Sequence, residues 1–315
     1  MTAPAPDAFV HPALFYGCDD EYLAVLVPFV TEGLALGHPV AVAVPGARLR
    51  LLREALGGAA QDVLLLDMEQ AGRNPGRIIP TVLRRFADEH QGVHVRIVGE
   101  PIWAGRSATE YPACAQHEAL INLAFAGRDV TIVCPYDTAS LDAAALEDAL
   151  VTHPVVWRTD RRHPSGRYAP LTVVNRYNQP LPAAEGAPEV HVGSSAQIRD
   201  ARRFTTAQAG RLDLGAERTA ELELIATELV TNSLRHSGGG CRLRVWTADG
   251  HLVCEVRDEG RLADPLAGRH PARPGQFGGR GLLLVNQLAD LVRTHTSPEG
   301  TTVYALLRLD RPPLS

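Results

Sequence analysis

Three residues able to handle protons, metals or phosphates recur four positions apart in the segment ATELVTNSLRHSGG: Glu228, Asn232 and His236. At 3.6 residues per turn this spacing puts a carboxylate, an amide and an imidazole in one row on a helix. Leu222, Ile225, Ala226, Leu229 and Ser233 form the adjoining packing stripe, so the row lines the edge of a core rather than a solvated face. A polar edge of this kind is common on helices. It gains chemical meaning only from the residues that follow.

The next segment, CRLRVWTADGHLVCEVRDEG, reads as a β-hairpin turning at Asp249-Gly250. In its second arm Leu252, Cys254 and Val256 alternate onto one face, and Asp258 has the same parity. A carboxylate ending an inward apolar row needs a donor or a ligand, because an unpaired buried charge costs several kcal/mol. Capping a turn is the other way to satisfy it. Gly260, two residues on, leaves room for close approach to the backbone. Residues 259–277 are polar and contain three prolines, the composition of a functional loop. Gly278, Gly279, Arg280 and Gly281 then open an apolar helix that starts near Leu282. Unpaired N–H groups at such a point suit a phosphate, and the same glycines would also serve as a hinge. The last strand, GTTVYALLRL from Gly300, brings the hydroxyl of Thr301 to its beginning.

Taken in order, these are Glu-x-x-x-Asn on a helix, Asp-x-Gly after a strand, Gly-x-Gly-Leu opening a helix and Gly-Thr at a strand start. The arrangement resembles the GHKL or Bergerat-type ATP-binding (HATPase) domain, in particular the anti-sigma serine/threonine kinases of the Rsb and sporulation type, over residues 196–310. The resemblance implies a two-layer α/β sandwich and the cofactors ATP and Mg²⁺. It implies that Asn232 holds the magnesium and that Asp258 accepts from the adenine amino group. Gly260, Gly279 and Gly281, with Gly278, Arg280 and Leu282, would shape the lid and its hinge, Thr301 would support the adenine side, and His236 would complete the nucleotide-binding row. Glu228 would be the catalytic base that orients an attacking hydroxyl. The implied partners are a STAS-type anti-sigma antagonist, a sigma factor, or both. Many members carry a second glycine after the Asp-x-Gly pair, where this chain has Leu262.

The chain contains no lysine, so all 31 basic residues are arginine. That excludes a P-loop, an ordinary protein kinase and Schiff-base chemistry, each of which needs an amine. A GHKL site handles phosphates without one. At 315 residues there is length for two domains, and 45% hydrophobic with 21% charged residues fits globular protein. A net charge of −5 argues against nucleic acid as a partner, and no apolar run reaches the roughly 18 residues of a spanning helix. With no basic and apolar leader at the N-terminus, a cytoplasmic protein away from the membrane is expected. Cys18, Cys114, Cys134, Cys241 and Cys254 are scattered without C-x-x-C spacing, which fits reduced, buried thiols better than disulfides or a zinc site.

The first half alternates short Val- and Ile-rich runs, at residues 38–46, 62–68, 93–101 and 129–137, with helical segments. Strict alternation implies a parallel sheet with helices on both faces, a three-layer α/β domain over residues 8–155. Residues 156–195 read as a Pro- and Gly-rich linker with a short strand at 171–174. The stretches LFYGCDDEYLAVLVPFVTEGLALGHPVAVAVP, GEPIW and HEALINLAF resemble the MEDS sensory domain, a RecA-like module without its phosphate loop. That resemblance implies sensing of a small-molecule signal, with Tyr16, Glu100, Trp103, His117, Glu118, Asn122 and Tyr136 as candidate pocket residues. A homodimer is among the assemblies it allows.

Two other readings remain open from sequence. A non-catalytic, ATP-gated binding module would need the same nucleotide site without Glu228 chemistry. A two-component histidine kinase would use the His117-Glu118 pair, which lies 115 residues before Asn232. The strand and proline-rich segment between them do not suit the helical hairpin such a kinase requires.

Overall fold

The computed structural model describes residues 9–182, 185–271 and 279–309. The chain divides into two compact units, 1–177 and 178–315.

The first unit runs β1 (Pro12–Tyr16), α1 (Asp19–Ala35), β2 (Val40–Val44), α2 (Gly46–Leu56), β3 (Val63–Asp67), α3 (Met68–Ala71) and α4 (Pro75–Ile78). A wider π turn at Ile79–Leu83 then leads into α5 (Arg84–Glu89), β4 (Val95–Gly99), α6 (Tyr111–Ala124), β5 (Val130–Asp137) and α7 (Ala143–Thr152). The unit closes with β6 (Val155–Trp157), β7 (Arg162–Pro164) and α8 (Pro170–Arg176). The seven strands lie in the order β3-β2-β4-β5-β1-β6-β7, all parallel except β7. Every residue of β2 is buried. A run apolar at each position, rather than at alternate ones, is what a strand covered on both faces needs. On one face α1 and α2 pack over Leu14, Tyr16, Val40, Val42, Val44 and Val98. Ala13, Ala41 and Ala43, which point the other way, are equally buried.

The turn from β1 to α1 is only Gly17-Cys18, too short for a phosphate loop. Its Gly17 N–H is taken by Glu21 Oε2 at 2.7 Å, and Asp19, Asp20 and Glu21 fill the first turn of α1. A helix N-terminus already neutralised by three carboxylates repels phosphate, which is the physical form of the missing loop.

Residues 156–195, expected as a linker, are not featureless. They carry β7, α8 and, in the second unit, β8 (Glu189–Val192). The strand expected at 171–174 is instead the middle of α8, which Pro170 opens and which buries Val173 against Ala115, Ala119 and Val151. Three consecutive branched residues suggested a strand, and packing against α6 overrides that local preference.

The second unit continues with α9 (Ile198–Arg211), α10 (Ala216–His236), β9 (Cys241–Ala248), β10 (His251–Asp258), α11 (Gly281–Leu288), β11 (Leu291–Ser297) and β12 (Gly300–Arg308). Its five antiparallel strands lie in the order β11-β12-β10-β9-β8. Leu222, Ile225, Ala226, Leu229 and Val230 of α10 pack onto Leu243, Val245, Leu252, Cys254, Val256, Val303, Ala305 and Leu307 of the sheet. This is the two-layer sandwich that the resemblance implied. The β9–β10 hairpin turns at Asp249 and Gly250, with φ of 48° and 71°, the pair of positive angles that a tight two-residue turn requires. The sequence marks the start of β11 weakly: only Ala289-Asp290 separates it from α11, with no glycine or proline between the two elements.

Candidate functional site

In the second unit the polar row of α10 faces a cavity of about 440 Å³. Asn232 and His236 line it from the helix, Asp258 and Thr301 from the adjacent strand ends, Gly260 and Leu262 from the loop after β10, and Gly279, Arg280 and Leu282 from the start of α11. Each wall follows from local structure. Asp258 ends β10 opposite Thr301 of β12, so the antiparallel register of these two strands sets carboxylate and hydroxyl side by side. Gly300 makes that pairing possible. A Cβ there would stand 2.0 Å from the Asp258 carbonyl oxygen, and its φ of 127° suits only glycine.

Asp258 both caps a turn and borders the cavity. Its Oδ1 accepts the Gly260 N–H at 2.8 Å, closing the turn, and it still lines the cavity. Thr301 holds the same loop from the other side: its hydroxyl donates to the Gly260 carbonyl at 2.8 Å and accepts the Leu262 N–H at 3.1 Å. One threonine thus holds two residues of the loop, Gly260 and Leu262, beside the cavity. Leu262, standing where many GHKL domains carry a second glycine, is anchored by this bond.

The side chains of Asn232 and His236 make no hydrogen bond or ion pair among the described residues, and neither does that of Glu228. Glu228 does not line the cavity itself. Its Oε2 lies 2.7 Å from where a Cβ of Gly281 would be, so only glycine admits the carboxylate to the first turn of α11. That is where the positive end of a helix dipole favours negative charge. Gly279 has a φ of 74° and opens the turn into α11. Gly268, at φ 73°, packs on Leu282, and its carbonyl accepts from Asn286 at 3.1 Å, tying the long loop to α11. Gly278 lies outside the described residues.

In the first unit the candidate residues fall into two groups. At the carboxyl ends of β1 and β4, the hydroxyls of Tyr16 and Tyr22 approach Glu100 at 3.5 and 3.4 Å. The Arg48 guanidinium covers both rings at 5.1 and 5.0 Å and pairs with Asp19 and Asp137. Burial pushes the Glu100 carboxyl up to about 8, against the pull of Arg48. It is therefore largely protonated near neutrality, with a proton to donate. The carboxyl edge of a parallel sheet, beside a reversal of strand order, is where such folds bind ligands.

Glu118, Asn122 and Tyr136 belong to a second group with His11, Cys134 and His153. Asn122 Oδ1 faces His11 Nδ1 at 3.2 Å, and the ring of Tyr136 meets that of His153 edge-on with centroids 5.5 Å apart. His117 is buried in α6 at 1% exposure. Trp103 stands in the loop after β4, its ring stacked with the Arg106 guanidinium at 3.9 Å.

Residues 10–154 match the family model described as MEDS, the MEthanogen/methylotroph, DcmR Sensory domain, and residues 193–306 match that of the Histidine kinase-like ATPase domain. The chain carries a MEDS domain followed by a histidine kinase-like ATPase domain. Among solved structures it is similar to the RsbU and RsbW domains of Rv1364c from Mycobacterium tuberculosis, at 21% identity over 40% of this chain, with a TM-score of 0.31. That match spans 33% of the other chain, about a third of its length. It is also similar to the Acinetobacter baumannii histidine kinase AdeS, at 10% identity over 45% of this chain and 83% of that one, with a TM-score of 0.24. A search of curated proteins returned no match.

Around the cavity of the ATPase domain, among the described residues, the side chains of Asn232 and His236 make no hydrogen bond or ion pair, while Asp258 and Thr301 also hold the loop after β10. In the MEDS domain the sequence pointed to Glu100 and Glu118 but not to Tyr22, Arg48, His11, Cys134 or His153, which complete their surroundings. No spacing relates these residues. The parallel sheet brings them together from distant segments, so only the register of β1 against β5 and β6 could have shown it.

Proposed function

We propose that this chain is a signal-responsive anti-sigma regulator. Its ATPase domain binds Mg-ATP and transfers phosphate to a serine or threonine of a STAS-type anti-sigma antagonist, sequesters a sigma factor, or does both, while its MEDS domain senses a small molecule. The observation that carries the reading is the Asn232 amide, which lines the cavity together with Asp258 and has no side-chain partner among the described residues.

The donor set suits the nucleotide. Mg²⁺ keeps most of its shell for phosphate and water oxygens, so one amide oxygen from Asn232 is a sufficient protein ligand. Asp258 keeps acceptor capacity beyond the bond to Gly260, enough for an exocyclic amine. His236 and Arg280 add donors at the phosphate side, with Gly279, Gly281 and Leu282 forming the hinge. In the transfer step Glu228 takes the proton of the attacking hydroxyl as its oxygen bonds to phosphorus and the bond to the leaving phosphate breaks. That requires the hydroxyl within about 3 Å of the carboxylate. Such acid–base help supplies about 10²–10⁴ in rate, and positioning supplies the remainder.

Calorimetric titration of ATP into the wild type and Asn232→Ala, with and without magnesium, tests the site. Magnesium-dependent binding that Asn232→Ala abolishes is expected. No such binding to the wild type overturns the proposal. Labelled transfer to an antagonist protein, lost in Glu228→Ala while ATP still binds, separates a kinase from the ATP-gated binding module. The module is favoured by one feature, the Leu262 N–H locked onto Thr301 where a more mobile glycine box was looked for. The burial of His117 disfavours a histidine kinase, whose acceptor imidazole must reach ATP.

A further inference from the structure

Four side chains that no part of the proposed function uses meet inside the MEDS domain: His11, Glu118, Cys134 and His153. They come from the segment before β1, from α6, from the middle of β5 and from the end of α7. All four are 0–1% exposed, and one potential ligand atom from each lies within 4.8 Å of every other. His11 Nε2 is 3.4 Å from Glu118 Oε2 and 3.4 Å from Cys134 Sγ, and His153 Nε2 is 3.0 Å from the same Glu118 oxygen. With bonds of about 2.0–2.3 Å, the edges of a tetrahedron around zinc measure about 3.3–3.7 Å. Most of these separations already approach that value.

The outer contacts decide which ring atoms face inward. His153 Nδ1 lies 2.9 Å from the Ala149 carbonyl, which can only accept, so Nδ1 carries the hydrogen. The Asn122 amide nitrogen is directed at three carbonyls, those of Thr152, Ala119 and Glu118, at 2.8, 3.1 and 3.3 Å. Its oxygen is therefore the atom that faces His11 Nδ1, and that nitrogen too carries a hydrogen. With Nδ1 bonded outward, each ring turns its Nε2 to the centre, where the Glu118 oxygens and His153 Nε2 make no hydrogen bond of good geometry. Ring nitrogens oriented from behind by a carbonyl or amide are the usual outer shell of metal-bound histidine.

Two ring nitrogens, a carboxylate and a sulfur thus converge in a space closed to water. Such a gathering of acceptors is costly unless a cation joins them.

We propose that His11, Glu118, Cys134 and His153 form a buried four-coordinate site for a thiophilic divalent ion of the zinc class. The mixed nitrogen, sulfur and oxygen donors favour zinc or a similar transition ion over magnesium or calcium. Cys134 binds as the thiolate and its proton passes to solvent on loading. The ion ties the sheet to α6 and α7. This site is separate from the nucleotide cavity, and neither proposal depends on the other.

The test uses the untagged full chain expressed in cobalt- or zinc-supplemented medium, since a closed site loads most readily during folding. One ion per chain is expected. The cobalt form should show the intense ligand-field absorption of four-coordinate cobalt and a thiolate charge-transfer band, lost in Cys134→Ser and kept in Cys114→Ser. Less than a tenth of an ion per chain overturns the proposal and leaves the cluster as a His153–Glu118 proton-sharing pair. So does a charge-transfer band that survives in Cys134→Ser. Should that variant fail to fold, X-ray absorption of the zinc-loaded wild type decides: one sulfur and three nitrogen or oxygen neighbours are expected, and a shell without sulfur overturns the site.

Discussion

Glu100 makes the MEDS domain sensitive to pH in a direction opposite to that of most carboxylates. It is 3% exposed and faced by Tyr16, Tyr22, Arg48 and Asp137. Burial raises its pKa from 4.5 to about 8, with Asp137 acting the same way and Arg48 against it. Burial also pushes both tyrosine hydroxyls above their ordinary value, so neither ionises in this range. The native protein therefore keeps a proton that the unfolded chain releases above pH 4.5. This contribution to stability is full below pH 4.5 and is lost as pH rises to about 8, where the folded group also ionises. At about 1.4 kcal/mol per pH unit, the interval corresponds to on the order of 5 kcal/mol. Glu100→Gln keeps the size and a donor but cannot titrate, so its stability should show no such slope and should exceed that of the wild type at pH 8. Trp103 and Trp157 report on this domain once the third tryptophan is removed as Trp246→Phe. Urea unfolding followed by their emission, from pH 5 to 9, gives the slope directly. A wild type equally stable at pH 5 and 8, or a Glu100→Gln variant with the wild-type slope, refutes the reasoning.

Three further outcomes follow from the ATPase domain. Gly300→Ala places a methyl 2.0 Å from the Asp258 carbonyl at a φ of 127°. It should destabilise that domain by roughly 2–4 kcal/mol, read from Trp246 emission in urea. Thr301→Val removes the bonds to Gly260 and Leu262 and should cost about 1–3 kcal/mol while weakening ATP binding in calorimetry. Unchanged ATP affinity in that variant would detach Thr301 from the nucleotide. Gly281→Ala meets only the flexible end of Glu228, 2.7 Å away. Its thermal midpoint should stay close to wild type while labelled phosphotransfer falls, and full transfer would show that Glu228 needs no access to α11.

The two domains differ in how much of them the sequence disclosed. In the ATPase domain the site is built from short-range patterns: four-residue spacing on α10, alternation along β10, glycines before α11 and a Gly-Thr pair opening β12. Each pattern reports a local geometry, so the order of motifs was enough to expect both the sandwich and its cavity. What the sequence did not mark was β11, which follows α11 after only Ala289-Asp290 with no glycine or proline, and, in the first unit, the helix α8, where packing against α6 outweighs three branched residues. It also did not show that Glu228 meets the start of α11 rather than the cavity wall.

In the MEDS domain the alternating pattern determined a parallel sheet between helical layers, because strands covered on both faces must be apolar throughout. Which polar residues meet inside it was decided only by tertiary structure. His11 and His153 lie 142 positions apart yet their ring centroids are 4.1 Å apart, because β1 is inserted between β5 and β6. Scattered cysteines without ligand spacing read as inert thiols along the chain, and Cys134 gains two imidazoles and a carboxylate only through that strand order. Hydrophobic periodicity is a property of neighbours in sequence. Convergence of donors on one point is a property of strand order, which the chain encodes only through its packing as a whole.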